Sequence, residues 1–460
     1  HGGTQAPELL REKLDKIVEG EQARSAFWGI YIQDLDSGQI LYRRNEDKRL
    51  IPASNQKLLT TAAALEVLGS DYRYTTTLHV VGQIQGSVLR GDLILEGSGD
   101  PTFGSRRVGG DDPLKKWAEG LVHMGVTRIE GRIIGDDDVF DDGAYARGWD
   151  VAHIATESFA PARGGLSYHD NMVQIRLEAT SVGEPPVVRE SPPGYFEIRN
   201  QLSTSPRRRR IWPRVERRVG TDAVRLHGMV PRAYRGTLEL PVSDPTAFTL
   251  HAFLHALREA GIEVAAPVYD VDALGEKPDY EQARPLFTHV SPPLSEIINV
   301  INKRSDNLYA EQVFHTLAWG GESGGGTRRV KEVLVRLGIP AAEVSARDGS
   351  GLSRKDLVTP EAMGRLLARM YAHEDREVFL ASLARGGEPK TTLEYRLRGV
   401  PVLAKTGSLE YVRTLSGYAT TPDGRTVAFV LLANNYTAPA YRINRAIDSM
   451  VLALTTTQVG

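Results

Sequence analysis

The stretch PASNQKLLTTAAALEVLG, residues 52–69, sets Ser54 and Lys57 three positions apart at the head of an apolar helical run. No proline interrupts residues 58–68, and Gly69 stands where a helix C-terminus prefers glycine. Side chains at i and i+3 share a helix face, so this spacing predicts that the Lys57 amine reaches the Ser54 hydroxyl. A free serine is a weak nucleophile and needs such a basic neighbour. The helix N-terminus adds unpaired N–H groups and the positive end of a dipole, both favourable to developing negative charge. Taken alone, the same letters also describe an N-capping serine followed by a solvent-facing lysine.

Outward from this stretch, both ends of the chain carry the same kinds of element. Leu9, Leu14, Ile17 and Val18 recur at helical spacing up to Gly20. The alternating runs WGIYIQDL and QILYR meet at Asp36-Ser37-Gly38, predicting a hairpin over 27–44. At the other end, strands over 415–420 and 425–434 flank the turn Pro422-Asp423-Gly424, and a helix follows over about 439–454. Helix, hairpin and helix at one end with hairpin and helix at the other build one antiparallel sheet flanked by helices, with the middle of the chain inserted. The fold class is therefore α/β. Within the insertion, a strand over 92–96, a helix over 113–123 and a strand over 128–135 have the order of a β-α-β unit, whereas 165–284 reads as short strands plus one helix over 247–260. The expected organisation is a main domain of 1–74 and 285–460, a β-rich inserted domain of 75–99 and 160–284, and a second, small α/β inserted domain of 100–159. Helices return over 294–371.

Two further stretches change the weight of Ser54 and Lys57. Lys303-Arg304-Ser305-Asp306-Asn307 lies between the helical runs SEIINVIN and LYAEQVFHTLA, which places Ser305 and Asn307 on a connection facing a cleft. Lys405-Thr406-Gly407-Ser408 precedes the strand-like TLSGYAT. Here Gly407 permits close approach of a substrate backbone, and Lys405, Thr406 and Ser408 can bind a carboxylate. Each alone suits an ordinary loop or edge strand, but the order S-x-x-K, S-x-N, K-T-G is the signature shared by penicillin-binding proteins and class A β-lactamases.

The chain resembles the low-molecular-mass class C penicillin-binding proteins, D-alanyl-D-alanine carboxypeptidases/endopeptidases. The resemblance spans nearly the whole chain through PASNQKLLTTAAALEVLG, GDLILEGSGDPTF, RSDNLYAEQ, DGSGLSRKDLVTP and AKTGSLEYVRTLSGYA, in the family's order. The length of chain between Lys57 and Ser305 separates it from class A β-lactamases, as does the lack of an E-x-x-L-N segment carrying a deacylating glutamate. The resemblance implies a penicillin-binding/β-lactamase-like transpeptidase domain with two inserted domains. It implies Ser54 as acylated nucleophile, Lys57 as its base, Ser305 as proton relay, and Asn307 as a ligand for the substrate amide. Lys405, Thr406 and Ser408 would hold the terminal carboxylate, with the N–H groups of Ser54 and Ser408 as oxyanion hole. Arg354, of the DGSGLSR segment, would recognise the stem-peptide side chain, with Asp150 or Glu157 as candidate acidic partner. No cofactor or metal is implied, and the partners are peptidoglycan stem peptides and β-lactams, with slow release of the latter. An exported location, periplasmic or wall-associated, follows from where peptidoglycan is. A D-amino-acid amidase or esterase on the same scaffold is the alternative with similar chemistry. A wall-binding protein with a vestigial site is the non-catalytic one.

Bulk properties bound the rest. The 460 residues, 41% hydrophobic and 25% charged, suit two or three domains, and a formal charge of −2 gives no global field for nucleic acid. No apolar run approaches the length of a membrane span, although peripheral association with wall or membrane stays compatible. The absence of cysteine excludes disulfides, thiol catalysis and Cys-zinc sites. The opening His1-Gly2-Gly3 suits a chain trimmed of an export signal or one carrying an expression remnant. Arg207 to Arg210, with Arg214, Arg217 and Arg218 near Trp212, forms a basic run read as a solvated loop, with anionic polymer or headgroups as the alternative ligand. His251, His255 and Glu259 read as an amphipathic helix rather than a metal set. Asp136, Asp137, Asp138, Asp141 and Asp142 do not follow the EF-hand pattern.

Overall fold

The computed structural model describes residues 5–208, 212–265, 267–318 and 325–460. Its centre is a six-stranded antiparallel sheet in the order Ala384–Arg385, Val402–Leu409, Val412–Thr420, Thr426–Asn434, Phe27–Asp34, Ile40–Arg44. The central strand, TVAFVLLAN, is apolar almost without alternation because both of its faces are covered. Val427, Phe429, Leu431 and Ala433 point toward the helices Gln5–Glu19 and Ala440–Thr456. Ala428, Val430 and Leu432 point the other way, into a core built on the helices Gln56–Leu68, Leu294–Lys303, Asn307–Thr316 and Pro360–Tyr371. The strand period of two thus splits one sequence between two cores.

The insertion leaves and re-enters this body at one place. Tyr74 and Ser291 exchange backbone hydrogen bonding, Ser291 N–H to the Tyr74 carbonyl at 3.0 Å, and the Ser291 hydroxyl accepts from Tyr74 N–H at 2.8 Å. Just beyond them, Thr75–Gln85 pairs antiparallel with Arg284–Val290. The expected division of the insertion is corrected by its strand pairing. Val88–Glu96 pairs in parallel with Arg128–Glu130 and Ile133–Asp136, so 75–99 and 100–159 share one seven-stranded sheet. Glu263–Val264, Val268–Asp270 and Arg284–Val290 complete it, which carries the inserted unit past residue 285. The helices Pro113–His123 and Pro245–Glu259 pack together against this sheet. The rest of the β-rich stretch forms two three-stranded sheets. In one, Met172–Glu178 is flanked by Val187–Ser191 and Arg235–Pro241. In the other, Ala223–Pro231 lies between Glu197–Ser205 and Pro213–Arg217.

Candidate active site

The sheet brings together three stretches far apart in sequence. Ala53–Asn55 forms a single 3₁₀ turn that runs directly into the helix Gln56–Leu68, with Ala53 in the left-handed region at φ 47°. Non-glycine residues adopt that region only where surrounding contacts enforce it. Here the enforcing groups come from the sheet. The Asn55 amide donates to the Lys405 carbonyl at 2.7 Å and accepts from the Ser416 hydroxyl at 2.6 Å, and the Thr414 hydroxyl donates to the Pro52 carbonyl at 2.9 Å. Gly407 has no room for a side chain: a Cβ there would stand 2.1 Å from Thr414 Oγ1 and 3.0 Å from the backbone nitrogen of Ser54. The Lys405–Ser408 segment lies within the strand Val402–Leu409, paired with the strand Val412–Thr420 that carries TLSGYAT.

Lys57 and Lys405 are both completely buried. Lys57 Nζ lies 3.0 Å from Ser54 Oγ, 2.5 Å from Asn307 Oδ1 and 2.6 Å from the Ser350 carbonyl oxygen. All three contacts can accept from the amine. Once deprotonated, it would keep two N–H donors for the acceptor-only oxygens of Asn307 and Ser350 and turn its one lone pair to the Ser54 hydroxyl. Burial lowers the Lys57 pKa to about 8, against the opposing pull of Asp348, Glu311, Asp306 and Asp356. Lys405 Nζ donates to Ser305 Oγ at 2.9 Å and to the Thr406 carbonyl at 2.8 Å. Its pKa is also driven well down, by burial and by the neighbouring Lys57. Ser305 sits at φ 60°, and Asn307 opens the helix Asn307–Thr316, which Asp306 caps through Tyr309 N–H.

Behind Lys57 stands a group that sequence reasoning missed. The segment 348–354 folds around carboxylates: Asp348 accepts from the N–H groups of Gly351 and Ser353 and from the Trp149 indole, at 2.7, 2.8 and 2.8 Å. Glu311 accepts from Gly349 and Ser350 N–H, at 3.1 and 2.8 Å, and with Asp348 on Gly351 N–H fixes the residue whose carbonyl meets Lys57. Burial, then Asp348, raises the pKa of Glu311 and drives that of Asp356 well above the carboxylate range. The available signal was Glu311 itself, an acid inside the otherwise buried face of LYAEQVF.

A cleft of about 670 Å³ opens over Ser54 and is lined by Ser305, Asn307, Thr406, Gly407, Ser408 and Arg354, so all the sequence-predicted site residues except the two buried lysines face it. Trp149, Asp150 and Phe159 of the insertion form its far wall, with Asp150 present and Glu157 absent from that lining. A larger cleft, of about 1270 Å³, runs along the insertion near Arg106 and Lys116 and contains none of the motif residues.

The other candidate features stay apart from this chemistry. His251 bonds the Pro193 carbonyl and His255 faces Glu259, and among the described residues no metal-ligating group of three forms around them. Of the acidic loop, Asp137 gathers with Asp270 and Asp272, and Asp138 and Asp142 also lie near Asp272. Arg209 and Arg210 lie outside the described residues. Arg207 and Arg208 are exposed, Trp212 is 70% exposed, and Arg217 is not solvated as expected but packs its guanidinium over the Phe196 ring at 5.1 Å. No described helix is long and apolar enough to cross a membrane.

An antiparallel sheet carrying K-T-G beside a helix that opens with S-x-x-K defines a protein of the penicillin-binding/β-lactamase-like fold. Residues 10–456 match the D-Ala-D-Ala carboxypeptidase 3 (S13) family, and the chain belongs to that family of cell-wall hydrolases. It is 32% identical over 456 residues to a D-alanyl-D-alanine carboxypeptidase of Actinomadura sp. strain R39, covering 94% of this chain and 82% of that one. It is 28% identical over 442 residues to the D-alanyl-D-alanine carboxypeptidase DacB of Haemophilus influenzae, covering 93% and 88%. The crystal structure of penicillin-binding protein 4 (dacB) from Haemophilus influenzae superposes with a TM-score of 0.79 at 25% identity, covering 95% of this chain and 97% of that one.

Proposed function

We propose that this carboxypeptidase works through an acyl-enzyme on Ser54, removing the terminal D-alanine of peptidoglycan stem peptides and cutting D-alanyl cross-links. The observation that carries the reading is the fully buried Lys57 amine 3.0 Å from Ser54 Oγ, its other two contacts both acceptors. Lys57 takes the Ser54 proton as Oγ attacks the carbonyl carbon of the penultimate D-alanine. The oxyanion is held by the N–H groups of Ser54 and Ser408. Collapse breaks the C–N bond, and Lys57 returns that proton to the departing amine by way of Ser305, which Lys405 contacts at 2.9 Å. Water then attacks the ester, Lys57 takes the proton of the water and passes it to Ser54 Oγ as the ester C–O bond breaks, and the hydroxyl and the neutral amine are both regenerated.

Thr406 and Ser408, with Lys405 behind them, receive the terminal carboxylate, and Asn307 receives the substrate amide. Arg354, exposed at the rim and donating to the Glu410 carbonyl at 2.7 Å, receives the stem side chain across from Asp150. A β-lactam enters the same attack but its leaving group stays tethered, so the adduct persists. The substrate places the protein outside the cytoplasm, in the periplasm or at the wall. A β-lactam complex is known for the Haemophilus influenzae protein, and similarly folded proteins include endopeptidases of Bdellovibrio bacteriovorus.

Intact-protein mass spectrometry after incubation with benzylpenicillin tests the mechanism. The expected result is one adduct, mapped to Ser54 and absent from Ser54→Ala. Folded protein that releases D-alanine yet forms no adduct would sink it. D-alanine release from a pentapeptide, measured beside scission of a cross-linked dimer, then ranks the two activities.

Gly407→Ala gives a second expected result. The added methyl collides with Thr414 Oγ1 and crowds the Ser54 nitrogen, and overpacking of this kind costs about 1–3 kcal/mol. Since it displaces an oxyanion donor, acylation by benzylpenicillin should slow by about 100-fold or more, read by stopped-flow or quenched mass spectrometry on protein with an unchanged far-UV spectrum.

A further inference from the structure

The S-x-N stretch is held by the insertion from outside as well as by Lys57, Lys405 and its own helix. Arg107 Nε donates to Asp306 Oδ2 at 3.0 Å, and Asp306 is the residue between Ser305 and Asn307. The backbone N–H of Arg107 bonds Ser105 Oγ at 3.1 Å, and that hydroxyl lies 2.6 Å from the Tyr309 hydroxyl, two residues past Asn307, and also bonds Asp170. The Asn307 amide donates to the Phe159 carbonyl at 2.6 Å, which fixes its rotamer so that Oδ1 faces Lys57. One helical turn further, Gln312 donates to the carbonyl of Gly164 at 2.8 Å and to Ser167 Oγ at 3.0 Å. Arg107, Ser105, Phe159, Gly164 and Ser167 all belong to the insertion.

We propose that Arg107 is a positioning residue, through which the insertion clamps the Ser305-Asp306-Asn307 stretch in the geometry that acylation requires. The proposal rests on the roles given above to Ser305 and Asn307. Ser305 stands at φ 60°, a conformation that a serine keeps only under external constraint. Asp306 applies that constraint from both sides: one oxygen caps the helix through Tyr309 N–H at 3.2 Å, and the other is fixed by Arg107. Release of the second oxygen frees the carboxylate to rotate, and the backbone of Ser305 and the amide of Asn307 move with it. Small displacements of this kind in a reacting constellation are costly to rate. Arg106, the neighbouring residue, pairs with Glu239 and with Asp170, and so reaches the motif only at second hand, through the Asp170–Ser105 contact.

The test compares Arg107→Ala, Arg107→Lys and Arg106→Ala with the unaltered chain, measuring the first-order acylation constant with benzylpenicillin and the thermal midpoint. Arg107→Ala should slow acylation by about tenfold or more. Arg107→Lys should recover part of this, since lysine keeps the charge and loses the directed Nε–H. Arg106→Ala should acylate within about twofold of the unaltered chain while losing a comparable share of thermal stability. Asp306→Asn added to Arg107→Ala should cost less than the two changes apart. Arg107→Ala acylating at the unaltered rate, or Arg106→Ala losing as much as Arg107→Ala, would overturn the proposal. Failure of the unaltered protein to acylate at Ser54 would instead overturn the mechanism on which it rests.

Discussion

Lys57→Met is expected to reduce acylation of Ser54 by about 10³-fold or more, since removal of a positioned general base forfeits about 10²–10⁴. The methionine fits the space of the lysine stem, so packing against the helix core is retained. It leaves Asn307 Oδ1 and the Ser350 carbonyl without their donor, but it also removes a cationic group buried completely. Breaking up a buried charge cluster can offset such losses, so the thermal midpoint should fall far less than activity does. A variant that lost both together would indicate that Lys57 matters only as a strut.

The pH profile supplies an independent arm of the same prediction. The base must be neutral, and burial moves its pKa from 10.5 to about 8. At pH 7 the neutral fraction is then about one in ten, where an unshifted lysine would offer about one in three thousand. Acylation should therefore rise about tenfold per pH unit below 8 and level off above it. The residual acylation of Lys57→Met should not follow that curve. A wild-type profile flat from pH 6 to pH 9 would exclude Lys57 as the base.

What the sequence made legible was local. Ser54 and Lys57 are one helical turn apart, so spacing alone predicts their contact, and the two side chains meet at 3.0 Å. Hairpins closed by Asp36-Ser37-Gly38 and Pro422-Asp423-Gly424 carry their own turn chemistry, and both form. Parallel pairing is another matter. Val88–Glu96 meets Ile133–Asp136 across a helix, and β-propensity does not name a strand's partner. Strand pairing joins 75–96 to 128–136 and to 284–290, and Thr75–Gln85, with Leu78, Val80, Val81 and Ile84 as its apolar residues, gave little sign of a strand eleven residues long. The site divides in the same way. Motif residues are recognisable in short windows, whereas Glu311, Asp348, Asp356 and the Phe159 carbonyl act only because the fold collects them around Lys57 and Asn307. An acid in an apolar helical face is a sign that something is paired with it, but the partner is invisible until the chain is folded.

Asp348→Ala should be the most destabilising single change in the catalytic unit. The side chain is fully buried and accepts from Gly351 N–H, Ser353 N–H and the Trp149 indole at 2.7–2.8 Å. Each buried donor left without a partner costs about 1–3 kcal/mol, so three of them threaten several kcal/mol, less whatever water or relaxation recovers. That is a large share of the roughly 5–15 kcal/mol that keeps a domain folded. The loss would not stay structural. Gly351 packs so closely on the Ser54 turn that a Cβ would stand 1.9 Å from the Ala53 carbonyl, and the Ser350 carbonyl in the same loop meets Lys57. Trp149 carries the effect to the far wall of the cleft. Asp348→Asn keeps one acceptor oxygen and the shape of the side chain, and should fall between the two. Thermal unfolding followed by tryptophan fluorescence, with benzylpenicillin acylation measured well below the transition, separates the contributions. A drop of at least about 10 °C is expected for Asp348→Ala, with acylation impaired even where the protein stays folded. A folded alanine variant with an unmoved midpoint would mean that this loop is held by its packing rather than by the carboxylate at its centre.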